Sequence, residues 1–355
     1  MAKIRLPTKI DDIDAELIGA ALAAGYPGTA VTSLEIGTVI WGTATKVPLR
    51  LAYNEAGRAH GLPPTMWLKG PIQSPLYELV ASLYTTEVRF YRDLAPHLAL
   101  GMALPGCYFA GVNSNGSQPT LLLEDLLARS ARFPGPAALT VDEVAQFLTV
   151  LAALHARRWN SPELRDLPRF AVAAQRPALE HFLTDAMWSK VMDKPHAQPT
   201  PNDLRNVAVV RRIITALLNS KDGPRALLHG DPHIGNTFIA PGGPGLLDWQ
   251  LICEGPALDD VVYFITTSLN VEDRRKNERN LVTHYLAELS AHGIDSPSFD
   301  DAWLDYRKYA IHAWTWIMVP EEQQRQAVCD AISRRGAAAV TDLDTVGAWR
   351  DPSAA

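Results

Sequence analysis

The spacing of apolar residues divides the chain into a strand-rich first part and a helical remainder. Between about Val31 and Leu68, short runs of apolar and polar residues separated by turn residues predict three strands. Two more strands are predicted at Cys107–Val112 and Thr120–Leu123, on either side of a turn rich in Asn, Ser and Gly. Because turns join these strands, the sequence predicts a small antiparallel sheet.

One long helix interrupts these strands, and many helices follow them. Ser74-Pro75 indicates a helix start, because serine is a preferred N-cap and proline is favoured at the first helical position; this helix is predicted to run to about Leu94. Thr140 and Glu143 have the spacing of a capping box, which opens a helix through Trp159. Further helices are predicted at residues 13–24, 171–191, 202–219, 257–269, 273–292, 299–318 and 321–340.

These elements predict an α+β fold with two lobes. Residues 1–123 would form a β-rich lobe that contains one long helix. Residues 124–355 would form a mainly helical lobe, whose single β segment lies at residues 226–252. Ligand sites favour junctions between such units, so we expect the chemistry of the protein near the boundary.

Composition narrows the classes of function. The 355 residues carry a net charge of −6, so the chain lacks the basic field that holds a nucleic acid. Its cysteines, Cys107, Cys253 and Cys329, are far apart, which argues against a disulfide framework and fits a reducing cytoplasm. No uncharged apolar run approaches the ~20 residues that cross a bilayer. We expect a soluble, cytoplasmic protein without a membrane span or a nucleic-acid partner.

The residues that indicate a specific chemistry lie between Leu227 and Trp249. Thr237–Ala240 and residues 245–247 read as strands, and the Pro- and Gly-rich run between them reads as their turn. Folding this hairpin would bring Asn236 roughly opposite Asp248, while Asp231 lies in the loop that leads into it. Three oxygen-bearing side chains are therefore expected at one end of the hairpin.

Such a set of side chains suits phosphoryl transfer. Magnesium prefers hard oxygen ligands and uses few protein groups, so Asp248 and Asn236 are candidate metal ligands. Asp231 is then left to orient an acceptor hydroxyl and to take its proton. A polar hairpin mouth without function is the alternative, and the joint spacing of the three residues argues against it.

The order of these residues resembles the signature of a known superfamily. His229-Gly230-Asp231, followed by Asn236, an apolar strand and Asp248-Trp249, is similar to the motif of the aminoglycoside phosphotransferases and choline kinases. The resemblance extends from about Val31 to Leu269, and its sharp motifs occupy residues 229–260. It implies a protein-kinase-like fold, ATP and Mg²⁺ as cofactors, and a small-molecule hydroxyl acceptor. It also implies Asp231 as the base and Asn236 and Asp248 as the metal ligands.

The same resemblance gives other residues supporting roles. Asp259 matches an aspartate at the start of a helix that holds the catalytic loop by hydrogen bonds, and His229 is expected to orient that loop. The first lobe should supply a lysine for the ATP phosphates and a glutamate that positions it. Lys69 lies at the end of the third predicted strand, and Glu87 shares the inward stripe of the next helix, so these two are expected to pair. Lys46 is the rival lysine.

Two nucleotide-binding segments match the family only weakly. The run from Gly42 to Lys46 departs from the glycine-rich loop of protein kinases, although its backbone amides and the hydroxyls of Thr43 or Thr45 could contact phosphate. The apolar run ending at Glu124 and Leu126 resembles the segment that joins the lobes, whose backbone would bind adenine.

Two other functions are weighed against the kinase. A metal hydrolase is suggested by the spacing of His229, Asp231 and His233, but this reading leaves the hairpin unexplained. A pseudokinase-like nucleotide-binding module is suggested by the degenerate glycine loop.

The acceptor stays open between an aminoglycoside, a macrolide, a choline-like amine and a hydrophobic alcohol, as does the choice between ATP and GTP. His155 is expected to be a hydrogen-bonded core residue. A series of aromatic residues at helical spacing is expected to pack in the core, and the alternative is that it lines an acceptor pocket. The residues are Trp303, Tyr306, Tyr309, Trp314 and Trp316.

Overall fold

The structure is a computed structural model. It describes residues 6–42, 44–73, 77–98, 101–113, 118–166, 176–220, 223–319 and 324–350. The chain divides into two compact units. The first contains the described residues up to 98 and those from 103 to 132, and the second contains residues 133 onward with 101–102.

A five-stranded antiparallel sheet forms the centre of the first unit, as the sequence predicts. Side chains of β2 alternate between the two faces, and those of Val47, Leu49 and Leu51 are buried. They pack with Ile18 and Leu22 of the first helix in one apolar core. The strands are β1 (Val31–Ile36), β2 (Thr45–Tyr53), β3 (Thr65–Gly70), β4 (Cys107–Val112) and β5 (Pro119–Glu124), in the order β1-β2-β3-β5-β4.

In the described residues of this unit, the α-helices beside the sheet are α1 (Ala15–Ala23), α2 (Glu55–Ala59) and α3 (Tyr77–Arg89). The carboxylate of Asp14 caps α1 by accepting a hydrogen bond from the amide of Leu17 at 2.8 Å. A π-helical turn, Phe90–Leu94, continues α3 to the predicted end. The predicted start of α3 at Ser74-Pro75 lies outside the described residues.

The first unit extends further along the chain than the lobe boundary predicted at residue 123. Two side-chain contacts connect residues beyond 123 to the sheet. The indole of Trp67 in β3 donates to Asp125 at 3.3 Å, and Arg129 donates to Glu124, the last residue of β5, at 3.1 Å. The residues from 124 to 132 therefore belong to the same compact unit as the sheet.

The second unit is mainly helical, as predicted. The capping box at its first helix is present, because Thr140 and Glu143 exchange side chain-to-amide hydrogen bonds at 3.2 and 2.9 Å. The helices are α4 (Val141–Ala156), α5 (Arg176–Phe182), α6 (Asp185–Met192), α7 (Asn202–Arg205), α8 (Val207–Asn219), α9 (Ala257–Ser268), α10 (Val271–Ala291), α11 (Phe299–Trp314), α12 (Gln326–Asp342) and α13 (Thr345–Ala348).

Cap residues divide two of the predicted helices into shorter ones. Thr184 caps α6 and separates it from α5, and Asn206 caps α8 and separates it from α7. Residues 171–175 and 321–323, which belong to two predicted helices, lie outside the described part of the chain. In the described ranges, no helix combines the length and the apolar character needed to cross a membrane.

Two short antiparallel pairs form the β segment of the second unit. β6 (Ala226–Leu228) pairs with β9 (Cys253–Gly255), and β7 (Thr237–Ala240) pairs with β8 (Gly243–Leu246). This nesting places the loop after β6 beside the segment that follows β8. Both segments carry the polar residues that the sequence singles out.

Candidate active site

The loop that carries Asp231 is held at its start by a buried carboxylate. The amides of His229 and Gly230 donate to the two carboxylate oxygens of Asp260 at 2.7 and 3.0 Å. Gly230 has a φ of 82°, a conformation that glycine adopts without steric cost. The Nε2 atom of His155 lies 3.3 Å from the same carboxylate. Asp260 in α9 therefore fixes the loop to the helical core.

The family resemblance predicts this supporting role for Asp259, and the structure corrects that assignment. Asp259 points elsewhere and lies 3.0 Å from Nδ1 of His312. Successive residues of a helix are about 100° apart around its axis, so only one of two adjacent aspartates can face the loop. The motif locates two adjacent aspartates at the start of the helix, but it does not decide which of the two faces the loop.

His229 connects the loop to the hairpin that follows it. Its Nδ1 accepts a hydrogen bond from the amide of Asp231 at 3.2 Å, so that nitrogen carries no proton. Its Nε2 lies 3.1 Å from the carbonyl oxygen of Leu247 and donates to it. The ring also packs on Trp249, with centroids 4.5 Å apart. Because both nitrogens have protein partners, His229 has no lone pair left for a metal.

Asp231 is held by several hydrogen bonds while part of its side chain stays accessible. The hydroxyl of Tyr263 donates to Oδ1 at 2.8 Å. The amide nitrogen of Asn236 donates to Oδ2 at 3.1 Å and to the main-chain carbonyl of Asp231 at 3.0 Å. The side chain of Asp231 is 26% exposed. A carboxylate that is fixed in direction and still reachable suits a base.

The surroundings of Asp231 favour its neutral form more than water does. Burial raises the pKa of this carboxyl from 3.8 to about 7, and the nearby charge of Asp248 acts in the same direction. The hydrogen bonds from Tyr263 and Asn236 and the proximity of His312 act in the opposite direction. A group with a pKa near neutrality is suited to taking a proton and giving it up again.

Asn236 and Asp248 present oxygens at the mouth of the hairpin. The side-chain nitrogen of Asn236 donates both of its hydrogen bonds to oxygens of Asp231. The Oδ1 atom of Asn236 takes no part in these bonds and points away from them. Asp248 follows β8 and has a φ of 68°, the left-handed region that aspartate tolerates better than most residues. An amide oxygen and a carboxylate are the donors that Mg²⁺ prefers, so these residues fit such an ion.

The pairing of the hairpin differs by one residue from the predicted one. The sequence predicts a turn from Pro241 to Gly245, whereas Ala240 already pairs with Gly243 across a two-residue turn. The amide of Leu247 consequently donates to the carbonyl of Asn236 at 3.0 Å. Asp248 comes one position later, at the point where the backbone enters the left-handed conformation.

The first unit contains the expected ion pair of a lysine and a glutamate. The Nζ atom of Lys69 in β3 lies 2.8 and 2.6 Å from the two carboxylate oxygens of Glu87 in α3. The side chains are only 5% and 3% exposed. A buried ion pair holds both side chains in one geometry, because breaking it would leave a charge unpaired. Lys46, the rival, is directly opposite Lys69 on β2.

The structure gives less support for the other residues that are expected to contact the nucleotide. Thr43 lies outside the described residues. Thr45 is buried at the start of β2, and its hydroxyl donates to the carbonyl of Ile72 at 2.7 Å, so that proton is used inside the unit. The carboxylate of Glu124 accepts from the amide of Gly106 at 2.9 Å, and Leu126 is buried. A contact of these two residues with adenine stays a prediction.

Most of the aromatic residues in α11 are core, as the helical spacing favours. Tyr306, Tyr309 and Trp314 are buried. Trp316, in the turn after this helix, is buried too, but its indole donates to the hydroxyl of Tyr263 at 2.6 Å. The sequence pattern does not identify Tyr263, because only its place in the folded chain brings it to Asp231.

The other two histidines of interest have structural partners. His155 is buried, and its Nδ1 lies 2.7 Å from the hydroxyl of Tyr285, which confirms a hydrogen-bonded core residue. The Nδ1 of His233 accepts from the amide of Gly235 at 3.0 Å. Across the described ranges, no group of three or more His, Cys, Asp or Glu side chains could hold a metal. The hydrolase alternative therefore lacks its metal cluster there.

Comparison with known proteins identifies the family. A model of the phosphotransferase enzyme family matches residues 75–293, which is more than half of the chain. An uncharacterised kinase-like protein of Caenorhabditis elegans is 22% identical over 235 residues, which cover 62% of this chain. The match spans only 60% of that relative's own length.

Solved structures with a similar fold include two kinds of kinase. An ethanolamine kinase of Plasmodium vivax is 13% identical, with a TM-score of 0.50 over 88% of this chain and 82% of that one. The GDP complex of an aminoglycoside 2'-phosphotransferase is 11% identical, with a TM-score of 0.46 over 93% of this chain and 100% of that one. The chain has a kinase-like α+β fold and belongs to the phosphotransferase enzyme family.

Proposed function

We propose that this phosphotransferase is an ATP-dependent kinase that transfers the γ-phosphoryl group to a hydroxyl of a small molecule. The observation that carries the proposal is the arrangement around Asp231. Its carboxylate is fixed by Tyr263 and Asn236, remains partly exposed, and has a pKa near neutrality. The group that takes a proton from an alcohol during phosphoryl transfer needs these properties.

Asp231 acts in this proposal as the base. The proton of the acceptor hydroxyl passes to its carboxylate while the acceptor oxygen bonds to the γ-phosphorus, and the bond from that phosphorus to the β–γ bridging oxygen breaks. ADP carries away the electron pair of the broken bond. Because the transition state is loose, positioning contributes more to the rate than covalent activation.

Asn236 and Asp248 would hold Mg²⁺ in this proposal. The amide oxygen of Asn236 is not used in its bonds to Asp231, and the carboxylate of Asp248 supplies negative charge. The ion, when bound, would neutralise charge on the phosphate oxygens. A site with only two protein ligands leaves positions for phosphate and water.

Lys69 would contact the phosphates of the nucleotide, with Glu87 holding it in place. The buried pair gives the lysine a single direction, which a surface lysine lacks. Backbone groups near Glu124 and Leu126 would contact the base of the nucleotide. The assignment of Lys69 rests on the family resemblance together with the observed ion pair, and the assignment of the backbone near Glu124 and Leu126 rests on the resemblance alone.

An assay of ADP release tests the proposed function. Purified protein with MgATP or MgGTP is offered kanamycin, erythromycin, choline, ethanolamine and 1-octanol, with water as the reference acceptor. The proposal predicts release above the water rate for one acceptor class, and loss of that release when EDTA removes the magnesium. Thermal stabilisation by MgATP without any release would indicate a nucleotide-binding module instead. No response to nucleotide at millimolar concentration would refute the proposal.

A further inference from the structure

A chain of two hydrogen bonds leads from the turn after α11 to Asp231. The indole nitrogen of Trp316 donates to the hydroxyl oxygen of Tyr263 at 2.6 Å. That hydroxyl lies 2.8 Å from Oδ1 of Asp231. Tyr263 belongs to α9 and Trp316 to the turn after α11, so the chain connects two separate elements to the loop of Asp231.

The chemistry of the three groups fixes the direction of this chain. An indole N–H can only donate, so the oxygen of Tyr263 must accept from Trp316. A phenol has one proton, and Asp231 in its ionised form, the form that acts as a base, can only accept, so the proton of Tyr263 points at Asp231 in that form. If Trp316 did not occupy the tyrosine oxygen, the hydroxyl could rotate to another partner. Trp316 thus keeps Tyr263 in its donating orientation.

Packing also restrains the side chains that form these two hydrogen bonds. The ring of Tyr263 stacks on His312, with centroids 4.3 Å apart and planes 21° apart, and His312 is held by Asp259. The ring of His233 packs its edge against Trp316 at 4.8 Å. Tyr263, Trp316 and His312 are all buried. A side chain that is buried and stacked has little rotational freedom.

We infer that Tyr263 is a positioning residue for the Asp231 carboxylate and that Trp316 acts on Asp231 only through Tyr263. Tyr263 holds Oδ1, Asn236 holds Oδ2, and together they prevent rotation of the carboxylate about its Cβ–Cγ bond. The inference rests on the proposed function, in which this carboxylate receives the proton of the acceptor. A base held in one orientation spends more of its time in a reactive geometry.

Kinetics of conservative variants test the inference. Tyr263→Phe removes one hydroxyl and should lower kcat about 10- to 100-fold, because the base loses its fixed orientation. The KM for MgATP should change less than about twofold, since neither residue is assigned a nucleotide contact. Trp316→Phe should lower kcat about 3- to 10-fold, because the hydroxyl of Tyr263 remains but is free to rotate. In each variant, kcat is measured as the rate of ADP release with the acceptor that gives the highest rate in the screen, or with water as the acceptor.

Two other aromatic residues provide matched controls. Trp314 is two residues from Trp316 and also buried, but within the described part of the chain its indole nitrogen has no hydrogen-bond partner. Tyr309 is a buried tyrosine of the same helix. Trp314→Phe and Tyr309→Phe should leave kcat within about twofold of the wild type while lowering thermal stability comparably. Equal kcat losses for Trp316→Phe and Trp314→Phe would overturn the inference.

The double variant tests the claim that Trp316 acts through Tyr263. If so, Tyr263→Phe with Trp316→Phe should be no slower than Tyr263→Phe alone, within about twofold, because both changes remove the same effect. A loss equal to the product of the two single losses would show that Trp316 acts independently. A Tyr263→Phe variant with the kcat of the wild type would also refute the positioning role.

A spectroscopic measurement separates this inference from the proposed function. In a ¹⁵N-indole spectrum of the protein without nucleotide, the peak of Trp316 is the one lost in Trp316→Phe. It should move in Tyr263→Phe, because its acceptor is gone, whereas the peak of Trp314 should stay. An unmoved Trp316 peak would refute the hydrogen-bond chain whatever the turnover. If the wild type turns over no acceptor but the peak moves, the proposed function fails and the chain stands.

Discussion

Replacing Asp260 should destabilise the protein more than replacing its neighbour Asp259. Asp260→Ala leaves the amides of His229 and Gly230 without their acceptor in a buried site. Each unsatisfied buried donor costs about 1–3 kcal/mol, so the two together should cost about 2–6 kcal/mol. That is a large part of the roughly 5–15 kcal/mol that typically stabilises a folded protein. The loop of Asp231 should lose its order at the same time.

Asp259→Ala provides the matched control, because the residue is adjacent and equally buried. One oxygen of Asp259 contacts His312, and its other oxygen has no partner in the described part of the chain. Its replacement removes one contact and no backbone acceptor, so we expect about 1–3 kcal/mol. Urea denaturation followed by circular dichroism gives both free energies of unfolding. If Asp259→Ala costs more than Asp260→Ala, the reassignment of the loop anchor is wrong.

Three further predictions concern the groups of the site. Without metal, the folded state of the wild type holds the proton of Asp231 up to a pH of about 7, whereas the unfolded chain releases it near pH 3.8. The contribution of this group to the free energy of unfolding therefore falls as the pH rises between these values. In urea titrations with EDTA, Asp231→Asn should become more stable relative to the wild type across that range. A difference in unfolding free energy that stays constant with pH would contradict the burial argument. Lys69→Met should weaken the affinity for MgATP at least about tenfold in calorimetry. It should also destabilise the fold, because Glu87 loses its partner. Unchanged affinity would show that Lys69 does not contact the nucleotide. Asp248→Ala should raise the magnesium concentration needed for half-maximal nucleotide binding, and an unchanged requirement would count against its metal role.

Local patterns in the sequence were sufficient for the strands and for much of the first unit. Alternating side chains place Val47, Leu49 and Leu51 in the core, and the strand and helix periods together bring Lys69 towards Glu87. Each of these features depends on residues close in the chain or on one face of one element. The ion pair is the clearest case, because a carboxylate on an inward apolar stripe needs a cation.

The sequence does not predict features that depend on the rotation of a helix about its axis or on contacts between residues far apart in the chain. The adjacent pair Asp259 and Asp260 leaves a one-residue ambiguity that only the packing of α9 resolves. The contact of Tyr263 with Trp316 joins residues 53 positions apart, and no periodicity predicts it. The sequence predicts a longer hairpin turn than the structure has, because a Gly- and Pro-rich run is compatible with several turn lengths.

The proposed role of Asp231 as the base of an ATP-dependent phosphoryl transfer can be tested with two measurements on a single variant. For Asp231→Ala we would measure the rate of ADP release with the acceptor found in the screen, and the MgATP affinity of the same protein. If Asp231 is the base, the rate should fall at least about 100-fold while the affinity stays within about threefold of the wild type, because a base contacts the acceptor and not the nucleotide. Full activity of Asp231→Ala would show that Asp231 is not the base.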